Sequence, residues 1–315
     1  MQRIAFKMMC LLLCAGGFFA STTVSAAPLY YTAEDQAIVD RYLSEMAPRK
    51  NLSQSELMVE TARFFLGIPY VAATLEKEPE GLVVNVRQMD CTTFVENVLA
   101  LVRTLQSPRP SFDVFCRELQ TIRYREGRIT GYPDRLHYMS DWIWENGRRG
   151  IVRDISREAG GEPLPLHLSF ISTHPEAYKQ LKQRPDRVRQ IAAQEQEINN
   201  RTYYYVPKTK IDTVAQRLQS GDIVCFVTTV AGLDVSHVGI LLRQGKNLTF
   251  IHASTTAKRV IVNPTSLQAY TAQMKSNRGI LVARPLPFAG TSVSPASVSP
   301  VSSGFPGFSE EKAAE

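Results

Sequence analysis

Apolar residues recur every three or four positions through Phe94, Val95, Val98, Val102 and Leu105, within the stretch Asn85 to Gln106. That spacing predicts an amphipathic helix with one buried stripe. Asp90 suits its N-cap, and no Gly or Pro interrupts it before Pro108. Helical periodicity also covers Thr32 to Met46 and then Ser53 to Leu66, where Ser53 and Glu56 have capping-box spacing. Gly67 and Pro69 stop this second helix. Gly81 to Arg87 reads as a short strand. Residues 107–210 read as helical segments between turns: Phe112 to Tyr124, a helix holding Asp141, Trp142 and Trp144, and a polar surface helix from Pro175 to Asn200 interrupted at Pro185.

After Ser220 the pattern changes to short runs rich in β-branched residues: Ile223–Thr229, Asp234–Arg243, Asn247–Ser254, Lys258–Asn263 and Gly279–Arg284. Lying so close in sequence, they predict an antiparallel meander, and the chain as a whole reads as α+β. If Gln244-Gly245-Lys246-Asn247 is a two-residue hairpin turn, His237 faces Ser254 and Gly239 faces His252. His237 and His252 then share one face as diagonal neighbours, about 7–8 Å apart or less. Val238, Ile240, Leu242 and Ile251 form the opposite, apolar face. A four-residue turn keeps this parity, and an odd-length turn breaks it.

The ends differ from the middle. Arg3 and Lys7 precede an apolar run from Met8 to Ala20 and a small-residue site, Val24-Ser25-Ala26, so residues 1–26 read as an export signal. The run is short for a membrane span, and the mature chain is expected to be exported, periplasmic or secreted, with no integral span. Residues 27–285 are expected to form one domain with a helical insert at about 107–210. The tail, 286–315, is rich in Pro, Ser and Gly and reads as disordered. Net charge over 315 residues is +6; cutting before Ala27 removes Arg3 and Lys7 and no acid, so +6 becomes +4. That excess suits an acidic ligand, and no basic run is dense enough for nucleic acid. Cys91, Cys116 and Cys225 remain after cleavage, an odd number that leaves at least one thiol free or paired outside the chain. Cys116 and Cys225 read as packed thiols or as a pair. No C-x-x-C or H-E-x-x-H spacing supports a metal site, and no cofactor is called for.

Cys91 follows the N-cap of the predicted helix, where free N–H groups and the helix dipole favour an anion and should make the thiol acidic. Taken alone, such a cysteine reads more readily as a small packing residue. With His237 and His252 on one face, the three have the composition of a thiol hydrolase: Cys91 as nucleophile, His237 as base, His252 as the group that orients it. Tyr132, Arg135 and Tyr138, in a segment rich in Arg and Tyr, read as a surface for an anionic, hydroxyl-bearing ligand.

The order D-C-T-T-F-V, G-D-I-V, S-H-V-G-I and F-I-H-A-S resembles the NlpC-type cell-wall cysteine peptidases. Gly67-Ile68-Pro69-Tyr70 is similar to their segment ahead of the nucleophile helix. The run G-Y-x-x-R-L-H-Y-x-S-D-W resembles a narrower N-acetylmuramoyl-L-alanine amidase-like branch. The resemblance spans roughly residues 55–285. It implies a papain-like fold, Cys91, His237 and His252 as catalytic residues and Tyr70 near the reacting carbonyl; Ser236, beside His237 in the chain, is a further substrate-binding candidate. The resemblance further implies muropeptides, fragments of peptidoglycan, as substrate. Cleavage at the muramoyl–L-alanine bond is the expected reaction; a γ-D-glutamyl endopeptidase and a non-catalytic cell-wall-binding module are the alternatives. Thr92 and Thr93 follow the cysteine where many members have Ser-Gly, making the helix entrance bulkier.

Overall fold

The computed structural model describes residues 27–288; the signal and nearly all of the tail read above lie outside them. Two strands, β1 (Leu29–Tyr30) and β2 (Leu82–Val83), pair in parallel at the edge of a helical layer. That layer contains α1 (Ala33–Met46), α2 (Gln54–Phe64), α3 (Cys91–Gln106), α4 (Phe112–Arg123) and α5 (Met139–Arg148). Thr32 with Asp35 and Ser53 with Glu56 close capping boxes on α1 and α2, so both helices begin where local chemistry places them. Among the described residues no helix is long and apolar enough to cross a membrane.

The main sheet is antiparallel. Its strands are β3 (Val152–Asp154), β4 (Glu162–Leu164), β5 (Tyr203–Pro207), β6 (Ile223–Thr228), β7 (Val235–Gln244), β8 (Asn247–Ser254), β9 (Arg259–Val262) and β10 (Asn277–Pro285). They run in the order β4-β5-β10-β6-β7-β8-β9, with β3 on the far end of β10. The expected meander therefore holds from β6 to β9 and then fails. β10 crosses back over helix α9 (Leu267–Gln273) to pair with β6, not β9. The insert is also less purely helical than its periodicity implies, because β3, β4 and β5 lengthen the sheet. Its helical part is α6 (Phe170–Thr173) and α7 (Pro185–Asn199), with Pro185 as the first residue of α7; α8 (Ile211–Val214) follows β5.

The β7–β8 ladder runs from Gln244↔Asn247 to Ile240↔Ile251, the register expected of a two-residue turn. Val238, Ile240, Leu242 and Ile251 accordingly join the large core beneath α3, with Phe94, Val95 and Val98. The other face carries a smaller core of Val224, Phe226, Leu241 and Phe250 under α8 and α9. Between β6 and β7 the register slips, Phe226 opposing His237 and Val227 opposing Val235. Ser236 is thus the extra residue of a β-bulge, a device that bends a strand and re-aims the neighbouring side chain.

Candidate active site

Three separate stretches of chain converge at the start of α3. Asp90 caps the helix: its carboxylate accepts from Thr93 N–H at 2.8 Å, and Thr93 Oγ1 accepts from Asp90 N–H at 2.9 Å. The threonine that looked bulky in sequence thus completes a capping box. Phe94 N–H is taken by the Asp90 carbonyl. Of the first N–H groups of α3, this leaves those of Cys91 and Thr92 free of carbonyl partners.

Cys91 is half-buried, and its sulfur lies close to the backbone N–H of Val238, one residue along β7 from His237. The Thr92 hydroxyl and N–H also lie close to it. These three donors favour the thiolate, yet burial, and after it the carboxylate of Asp90, push the thiol up to about 11. Desolvation thus opposes the acidic thiol that the helix dipole leads one to expect.

His237 and His252 are both buried, and His237 Nε2 lies 2.7 Å from His252 Nδ1. They lean on an aromatic wall: Phe226 stacks on His237 with ring centres 5.8 Å apart, and Phe250 lies 4.7 Å from His252. Burial in this apolar setting pulls His237 down to about 4 and, helped by the charge of His237, His252 down to about 3. Both imidazoles are neutral at neutral pH.

Tyr70 stands at the rim, half-buried, its hydroxyl held above the usual phenol range by burial and then by Cys91 and Asp90. Ser236 is exposed beside His237. The remaining sequence candidates do not join this group. Arg135 is buried, donating to Glu80 at 2.9 Å and to Glu76 at 2.9 Å, and its guanidinium covers the Tyr132 ring. Tyr132 is 2% exposed, and the Tyr138 hydroxyl donates to Glu195 at 2.7 Å. These three are internal struts of the insert. The surface expected of them is not where the structure puts them: Tyr132 is buried, and Arg135 and Tyr138 are bonded to Glu76, Glu80 and Glu195.

Among the described residues no group of three or more His, Cys, Asp or Glu side chains could hold a metal ion, and Cys91, Cys116 and Cys225 are all free thiols. Residues 60–280 match the model of a family described as N-acetylmuramoyl-L-alanine amidase-like. The chain belongs to this amidase-like family. An N-acetylmuramoyl-L-alanine amidase from Bacteroides uniformis is similar at 37% identity, over 74% of this chain and 99% of that one, with a TM-score of 0.70. A Bacteroides fragilis protein provisionally described as a xylanase is 39% identical over 71% of this chain and 99% of that one, with a TM-score of 0.68. A Legionella pneumophila protein at 20% identity, covering 81% of this chain and 95% of that one with a TM-score of 0.61, shares the fold. No curated protein sequence matches the chain.

Sequence reasoning missed three features of this amidase-like site. The Val238 N–H is invisible in sequence because any residue supplies one. Thr92 was noted only for its bulk, although its hydroxyl and N–H lie close to the sulfur. Tyr270 on α9 closes the imidazole wall, 4.8 Å from Phe250 and 6.1 Å from His252, and Cys91 adds to burial in raising its hydroxyl pKa. Nothing about one tyrosine in a seven-residue helix signals that position.

Proposed function

We propose that this chain is an exported cysteine amidase of the NlpC type, papain-like in architecture, that hydrolyses the N-acetylmuramoyl–L-alanine bond of muropeptides. The observation that carries the reading is the Cys91 sulfur lying close to the N–H next to His237, with His237 hydrogen-bonded to His252. If His237 Nε2–H donates to His252 Nδ1, then His237 Nδ1 presents a lone pair. It takes the thiol proton as sulfur attacks the amide carbonyl, so the nucleophile is made at the moment of use from a neutral pair. The oxygen that becomes negative is stabilised by the free N–H groups opening α3, that of Cys91 foremost. The new imidazolium returns its proton to the leaving amine of L-alanine. Water, deprotonated by the same imidazole, then cleaves the thioester, releases the sugar lactyl acid and restores the thiol.

Glycosidase chemistry generally needs two carboxyl groups flanking the bond. Asp90, the carboxylate next to the thiol, is committed to Thr93. A thiol flanked by imidazoles favours acyl transfer.

Mass spectrometry of products from a defined muropeptide tests the reading. The expected products are the free sugar lactyl acid and an intact stem peptide beginning at L-alanine, with none from Cys91→Ala. A new amino terminus inside the stem would make the enzyme an endopeptidase, and intact substrate would leave a binding module.

A further inference from the structure

Cys91 and the histidines account for bond breaking and leave open what aligns the peptide. The turn joining β8 to β9 carries Lys258 and Arg259, both exposed, and no described carboxylate pairs with either. Their place is fixed by backbone. Tyr70 N–H donates to the Lys258 carbonyl at 2.9 Å, while Val260 exchanges hydrogen bonds with Gly67 and Ile68. On its other edge the same strap pairs with Met89, which donates to Pro69 and accepts from Val71. Cys91 lies two residues beyond Met89. Two interstrand spacings, about 10 Å, therefore separate the Lys258 backbone from the chain that runs into the thiol. The turn also leaves β8 just after His252, so it is tied to both halves of the site. Lys258 has φ +56°, a left-handed conformation that Gly or Asn adopts more readily.

We propose that Lys258 and Arg259 form a carboxylate-binding subsite for the stem peptide, with the free α-carboxylate of a γ-linked D-glutamyl residue as the group they hold. This rests on the reading of Cys91 as the nucleophile. When the muramoyl–L-alanine amide lies at the sulfur, that carboxylate is about two residues, or ~7 Å, further along the extended peptide. A Lys or Arg side chain reaching inward from a backbone about 10 Å away meets it there. The subsite therefore sets the register: it favours the amide ahead of L-alanine over the bond after the glutamate.

The test is binding, which does not require turnover. Calorimetry on Cys91→Ala protein would compare a muropeptide carrying the D-glutamyl acid with the same molecule amidated at that carboxylate. The acid form is expected to bind about tenfold more tightly, the worth of a charge-assisted contact, and the ratio should shrink as salt rises. Adding Lys258→Asn and Arg259→Gln should remove the preference; Asn tolerates the left-handed turn, and an unchanged melting temperature verifies the fold. Equal affinities for the two forms in Cys91→Ala, or a preference that survives both substitutions, overturns the subsite. Cleavage of the acid muropeptide by the unsubstituted enzyme is scored separately, so failure of the nucleophile shows as intact substrate and leaves the binding comparison readable.

Discussion

His237 Nε2 lies 2.7 Å from His252 Nδ1, while His252 Nε2 is buried with no partner among the described residues. With both rings neutral, this allows one useful proton arrangement: His237 donates from Nε2, and His252 accepts at Nδ1 and carries its own proton on Nε2. The role assigned to His252 is therefore that of an acceptor. His237→Ala is expected to abolish turnover. His252→Asn or Gln, which still accept a hydrogen bond, should retain at least about tenfold more activity than His252→Ala. Equal losses in kcat across the His252 series would rule the acceptor role out.

Because burial lifts the Cys91 thiol to about 11, its alkylation should be slow near neutrality. The iodoacetamide rate is expected to keep climbing through pH 9 and 10, above the model thiol value of about 8.5. An inflection below 8.5 would mean that a thiolate–imidazolium pair already exists at rest.

The pH profile of kcat/KM follows from the base. His237 is depressed to about 4, so it remains unprotonated, and able to take the thiol proton, at far lower pH than a free imidazole. The acid limb should fall near pH 4 instead of near 6.5, with a plateau extending past pH 8.5. A narrow bell between 6 and 8 would contradict a neutral resting pair.

Stability should weaken in acid for the same reason. His137, half-buried, is pulled down to about 3 by desolvation and then by Arg135, and it joins His237 and His252 as a neutral imidazole. Below pH 6.5 the unfolded chain binds protons at these sites that the native state does not, so unfolding becomes more favourable as pH falls from 6.5 toward 3–4. The melting temperature should drop across that window, and His137→Asn should flatten the drop if the variant folds. A slope unchanged by His137→Asn would assign the acid sensitivity elsewhere.

Arg135 distinguishes a strut from a ligand contact. Arg135→Met leaves Glu80, a side chain 3% exposed, without its guanidinium partner, a loss of about 3–5 kcal/mol for a broken buried pair. The expected result is a large fall in melting temperature with little change in KM for whatever protein remains folded. A raised KM at unchanged stability would return Arg135 to the substrate surface.

The histidine hairpin was legible because a Gly-Lys turn between alternating strands fixes parity, and parity decides faces. Helix starts were legible where Thr32, Ser53 and Asp90 cap locally. The burial of the Arg/Tyr cluster was not legible, because such residues look alike in sequence whether they face water or a buried carboxylate. The partners that decide it, Glu76 and Glu80, lie 59 and 55 residues from Arg135. Strand β10 was misplaced because short β-rich runs specify pairing strength and not neighbours; its crossing depends on what the small core beneath α9 needs to cover. The raised thiol escaped because a helix start advertises its dipole, whereas burial is a property of the assembled fold.

The strap from Gly67 to Val71, clasped between Met89 and β9, also sets a timetable. Its outer edge has no partner until Lys258 and Val260 exist, and His237 and His252 are likewise made after most of the chain. During synthesis from the amino terminus the thiol is present for some 150 residues before the groups that would put it to work. On the proposed mechanism a partial chain is therefore inert, and a product truncated before β8 carries the nucleophile without the His252 that orients its base.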